Sequence, residues 1–203
     1  MVFGRASMMR MRETSLTQMQ KVFEGFLRAS GAPLDDPNLA QTPQRAAQAW
    51  LGEFLDGYSK DPEESLGERY PVSGEGEVGL VVVTGLRYVS VCPHHLLPYE
   101  GTAHLAYAPG ASVVGFGRLS ALLECLGHRL VLQEQLARDV ARLLFDSLES
   151  KGSACILAAR MSCFTLRGER QSHSRTHAEA YTGILRRDGP LRRELWTRLG
   201  AEA

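Results

Sequence analysis

With 203 residues, 44% of them hydrophobic, the chain is sized for one folded core and a small appendage. Its 23 basic and 23 acidic residues cancel, which removes any general attraction to nucleic acid or to an anionic membrane and leaves only local basic pockets. The opening MVFGRASMMRMRETS holds no apolar leader and no later run reaches the ~20 residues of a membrane span, so a cytoplasmic protein is expected.

A helical preface is expected over residues 1–60. In SLTQMQKVFEGFLRAS, residues 15–30, Met19, Val22, Phe23, Phe26 and Leu27 recur at helical spacing until Gly31 stops the run. TPQRAAQAWLGEFLDGY, residues 42–58, reads as a second amphipathic helix with Thr42 as its N-cap and Pro43 in its first turn. Ser59 to Glu77, rich in Asp, Glu, Gly and Pro, reads as a loop.

The main domain is then expected over residues 61–203. GLVVVTGLRYVSV and the alternating GTAHLAYAP read as strands, followed by a turn at Gly110 and SVVGFG. Leu132, Leu136, Val140, Leu143, Leu144 and Leu148 mark one face of a long helix ending near Gly152. SACILAARMSCFTL and SHSRTHAEAYTGIL read as two further extended segments. The order β-β-α-α-β-β predicts an α+β protein, a four-stranded antiparallel sheet with two helices on one face. Such a sheet has open edges that side-by-side copies would close, so a homo-oligomer is expected.

Cys125 and Cys155 sit among leucines and alanines and read as small buried hydrophobes, and without a leader no disulfide is expected. VCPHHLLPYEG, residues 91–101, is different. Cys92 and His95 lie three residues apart across a proline bend, close enough to share one ion, and Cys163 in the expected strand MSCFTLRG is the best third ligand. Three protein ligands leave a position open, as catalytic rather than structural zinc requires, since water there has a pKa near 7. A second ligand set draws on His104, His173 or His177, with His173, Arg175 and His177 alternating on one strand face. A buried cysteine beside hydrogen-bonded turn histidines is the reading without metal.

CPHHLLPYEG, HLAYAP, VVGFG, HRLVLQEQLA and MSCFTLRGER together resemble the GTP cyclohydrolase I family, whose pattern runs C-E-H-H-L-x-P-x-x-G, V-I-G-L-S-K, Q-x-Q-E-R-L and H-x-C-x-x-x-R-G. The likeness runs from TPQR at 42–45 to RRELWTRL near the C-terminus. It implies the tunnelling fold, in which sheets join into a ring, typically a decamer of stacked pentamers with active sites at subunit interfaces. It implies zinc on Cys92, His95 and Cys163, His94 as a catalytic histidine, and Gln133 and Glu134 as catalytic and substrate-binding residues that hold guanine. A carboxylate suits the parallel N1–H and 2-amino donors of that base. Arg45, Arg118 and Arg167 fall at or beside basic positions near the triphosphate, where guanidinium forks are apt. The implied reaction adds water at C8 of GTP, opens the imidazole ring to a formamide and releases formate. Ribose opening, Amadori rearrangement and closure then give 7,8-dihydroneopterin triphosphate, for pterin and tetrahydrofolate biosynthesis.

The departures are specific. Met161 stands where the family has a second catalytic histidine, and a thioether moves no proton at neutral pH. Gly117-Arg118 and Ala121 replace the family's S-K and following Arg, Gln48 replaces a base after TPQR, and Pro93 replaces a glutamate. Three readings therefore stand: a working GTP cyclohydrolase I variant, a paralogous zinc hydrolase acting on another purine or stopping at the formamide, and a non-catalytic purine-binding ring subunit.

Overall fold

The structure is a computed structural model that describes residues 5–72 and 79–200, with side chains from residue 15 onward. The part of the expected 59–77 loop after Val72 lies outside the described residues. The chain divides into two compact units, Met1–Asp56 and Gly57–Ala203.

In the first unit, α1 (Arg5–Ala29) is longer than its apolar spacing predicts and ends before Gly31, whose positive φ of 77° suits a residue without a side chain. The second helix is shorter than expected. α2 (Thr42–Ala49) gives way to a π-helical turn over Trp50–Phe54, and its N-cap is Gln41 rather than Thr42, because Thr42 already has helical geometry and turns its hydroxyl back to Asn38 O. Phe23, Trp50 and Phe54 stack in sequence, with centroids 6.4 and 5.6 Å apart.

The second unit opens with α3 (Pro62–Leu66) and β1 (Arg69–Pro71). Both lie where a loop was expected, and β1 pairs antiparallel with β4, given below. Asp61 explains the short helix, since its carboxylate accepts from the amides of Glu63 and Glu64 ahead of Pro62 in the first turn. β2 (Val81–Val91), β3 (Pro98–Ala108), β4 (Ser112–Val114), α4 (Phe116–Gly127), α5 (Gln133–Ser147), β5 (Gly152–Arg160), α6 (Ser162–Thr165), β6 (Thr176–Tyr181) and α7 (Pro190–Gly200) follow. The main sheet has the order β2-β3-β5-β6, antiparallel throughout, as the strand-and-helix pattern predicts. The register of β2 on β3 slips between Val83 and Leu86, where Gly85 has φ of 70° and makes the bulge.

Leu119, Leu122, Leu123 and Leu126 of α4 and Leu136, Val140 and Leu144 of α5 bury themselves with Tyr88, Ala103, Leu105, Leu157 and Ala178 on one sheet face. At one end of the opposite face, Ala106, Ala154 and Ile156 carry Leu185 from the turn after β6 and Leu195 of α7. Leu144 is fully buried, and Leu144→Ala is expected to cost about 3 kcal/mol, read as a lower urea midpoint at unchanged slope. No described helix is long and apolar enough to cross a membrane.

Candidate metal centre and active site

The cluster forms where β2 and β5 end. After Val91, the Leu96 amide donates to Cys92 O at 2.9 Å and the Cys92 amide to Leu97 O at 3.0 Å, closing a tight loop before β3 starts at Pro98. Leu96 takes φ of 53° to let the chain turn back. This curl brings Cys92 Sγ within 3.7 Å of His95 Nδ1. Cys163 arrives differently from the sequence expectation. β5 stops at Arg160, and Cys163 sits on the helical turn α6 rather than on a strand. The Ser162 hydroxyl donates to Pro98 O at 2.5 Å, tying that turn to the start of β3.

Among the described residues, Cys92, His95 and Cys163 are a group whose ligand atoms all lie within 4.8 Å of one another. Zn–S near 2.3 Å and Zn–N near 2.05 Å in a tetrahedron put ligand atoms about 3.5–3.8 Å apart, which the Cys92–His95 pair at 3.7 Å meets and the whole set, within 4.8 Å, reaches by a small inward shift. Burial and the neighbouring Cys92 raise the Cys163 thiol above its ordinary pKa, partly offset by Arg167. A divalent cation offsets that cost, because it favours the thiolate it binds.

Around this cluster, Arg167 directs a guanidinium nitrogen to His95 Nε2 at 2.9 Å, and the exposed His94 ring stands perpendicular to His95 with centroids 6.2 Å apart. Glu134 is exposed in the first turn of α5, where a carboxylate is favoured by the helix dipole. Gln133 faces the other way: it is 2% exposed, and its amide nitrogen lies 3.3 to 3.4 Å from Tyr88 Oη, Leu157 O and Thr176 O. Arg118 lies on α4 with its side chain against Gly67, and Arg45 belongs to the helical unit, donating to Gln41 Oε1 at 2.8 Å.

The second ligand set does not gather. His104 sits mid-strand on β3, accepting from the Gly85 amide at the bulge, and His177 is exposed on β6. His173 precedes β6, which starts only at Thr176, so His173, Arg175 and His177 do not share a strand. Two residues near the cluster carry no sequence signal of a site. The hydroxyls of Tyr99 and Ser90 are buried beside each other, with no well-formed hydrogen bond to any described residue. Burial above all, then the charges of Cys92, Glu134 and Cys163, push Tyr99 up to about 12, with neighbouring Ser90 opposing. An apolar strand pattern such as LPYEG conceals which tyrosine lies beside thiols. Cys125 and Cys155 are fully buried, as expected, and all four cysteines are free thiols.

An antiparallel sheet backed by two helices, with a thiol-imidazole-thiol set at its strand ends, defines an α+β protein with a candidate three-ligand metal site. The family model described as GTP cyclohydrolase I matches residues 19–200. The chain is 32% identical over 185 residues to GTP cyclohydrolase 1 of Chromobacterium violaceum, covering 91% of this chain and 88% of that one. It is 35% identical over 184 residues to GTP cyclohydrolase 1 of Campylobacter jejuni subsp. doylei, covering 88% and 95%. With GTP cyclohydrolase 1 of Bacillus mycoides it shares 33% over 189 residues, covering 91% and 96%. Among solved structures, the archaeosine synthase QueF-Like in the apo form aligns at a TM-score of 0.45 and 17% identity over 53% of this chain and 97% of its own, too slight a likeness to bear on function. The chain belongs to the GTP cyclohydrolase I family and is a hydrolase of that type.

Proposed function

We propose that this protein opens the guanine imidazole ring of GTP by hydrolysis, releases C8 as formate and yields 7,8-dihydroneopterin triphosphate for pterin and tetrahydrofolate synthesis. The observation that carries the reading is the convergence of Cys92, His95 and Cys163 on one ion-sized volume in a chain of this family. Zinc held there would supply a Lewis acid and a water of pKa near 7.

The remaining roles fall to side chains of this chain. Glu134 accepts the N1–H and 2-amino protons of guanine, and Gln133, buried beneath it, positions the turn that carries Glu134. His94, exposed beside His95, hands a proton to N7 as the C8–N7 bond breaks. Arg167 and Arg118 bind the triphosphate through their forks. Residues 61–203 act as the catalytic domain of a tunnelling-fold ring of identical subunits in the cytoplasm, with residues 1–60 as the helical preface.

Met161 favours a second reading, a relative that halts at the formamide or opens another purine. It stands at the N-cap of α6, two residues before Cys163, and packs against the core with no group that transfers protons. Incubating metal-analysed protein with GTP decides between them. Formate together with neopterin fluorescence after oxidation is expected; formamide without formate means a relative that halts there, and nucleotide binding without either product overturns the first reading in favour of another purine or a binding role.

A further inference from the structure

The face of the sheet turned away from α4 and α5 is only partly covered. Tyr88, Ala103, Leu157, Ala159 and Ala178 point into the helix-backed core, so strand alternation sends Arg87, Thr102, Ala158, Arg160 and His177 to the other side. Register places Arg87 opposite Thr102, Thr102 opposite Ala158 and Ala158 opposite His177 in one row. The next row pairs Glu100 with Arg160. Arg175, one residue before β6, closes that end. The result is a groove of about 330 Å³ whose sides include Arg87, Arg160, Arg175, Glu100 and Thr102 and whose floor includes the Ala158 methyl.

Charge within this groove is unbalanced. Three guanidiniums face one carboxylate, and Glu100 reaches only Arg87, at 3.9 Å with side chains 90% and 66% exposed for Arg87 and Glu100. Among the described residues, neither Arg160 nor Arg175 has a carboxylate within ion-pair distance. Like charges on neighbouring strands repel. With strands about 4.8 Å apart and successive same-face residues about 6.6 Å apart, the three forks stand around one small residue, within reach of a common anion.

We infer that this groove is a binding site for a compact polyphosphate, free or carried on a nucleoside, separate from the Cys92, His95 and Cys163 cluster. The arginine forks take the phosphoryl oxygens and the Thr102 hydroxyl donates one further bond. Its volume suits a small ligand and not a nucleic acid duplex. The inference stands apart from the proposed reaction, because none of the groove residues holds a role in it.

The test is calorimetric titration of the metal-loaded full chain with inorganic triphosphate and, separately, with ATP. Saturable binding of either is expected to persist in Arg167→Ala, where the active-site clamp is weakened, and to fall at least tenfold when Arg160→Ala/Arg175→Ala is added to that background, with the KM for GTP of the double variant alone within about twofold of the parent. Ala158→Leu, which fills the floor without changing charge, is expected to weaken binding as well and guards against a folding defect in the double variant. ATP binding as tightly as triphosphate assigns a nucleotide source, and triphosphate alone assigns a free polyphosphate. No saturable binding, equal binding in the double variant and Ala158→Leu, or loss in Arg167→Ala instead would overturn the site.

Discussion

Cys163→Ala is expected to purify with almost no metal and to lose at least about a hundredfold to a thousandfold in metal affinity, with turnover of GTP falling to background. The magnitude follows from dividing the roughly 10–16 kcal/mol of a four-ligand zinc site among its ligands, which leaves about 2.5–4 kcal/mol for each. Cys92 and His95 alone would hold an ion by two atoms in a loop that has its own backbone closure, so the remaining pair stays in place without needing the metal. Cys163 is only partly buried on the α6 turn, and Ser162 keeps that turn tied to Pro98, so the variant should fold. Metal analysis with circular dichroism checks both halves. Stoichiometric metal retained in a folded variant would remove Cys163 from the ligand set.

Met161→His is expected to raise turnover at least several-fold, and a fully effective general acid or base would give about 10²- to 10⁴-fold. The side chain starts the turn that delivers Cys163, so an imidazole there stands two residues from a proposed ligand. Its cost is modest, since Met161 is half-buried against the core and its loss forfeits part of a methionine's burial. Single-turnover measurement on folded, metal-loaded variant separates the proton step from product release. An unchanged or lower rate would mean that another group already supplies the proton, with His94 beside His95 and the buried Tyr99 hydroxyl as the nearest candidates.

The sheet and its two helices were legible because burial imposes a period. GTAHLAYAP alternates along β3, and Leu136, Val140 and Leu144 recur every fourth residue along α5. The ligand set was legible in outline only. Extended propensity in MSCFTLRG concealed the helical turn at Ser162–Thr165, whose hydrogen bonds run to Met161 O and whose serine reaches the distant Pro98. β1 escaped notice because three residues carry too little pattern, and its partner β4 lies about forty positions on. The QE pair in the sequence does not reveal that Gln133 is buried and Glu134 exposed. Adjacent helix positions differ by 100°, so one meets the sheet and the other meets solvent.

That opposition has a dynamic consequence. Leu132 caps α5 without a side-chain bond, and a first turn of this kind ordinarily frays. Here the amide of Gln133 is moored to three elements at once, to Tyr88 on β2, Leu157 on β5 and Thr176 on β6. Opening the turn means unmaking the junction of helix and sheet, so local opening merges with cooperative unfolding. Glu134 therefore waits on a backbone that is already ordered, and an arriving base has only a side chain to immobilise rather than a helical turn.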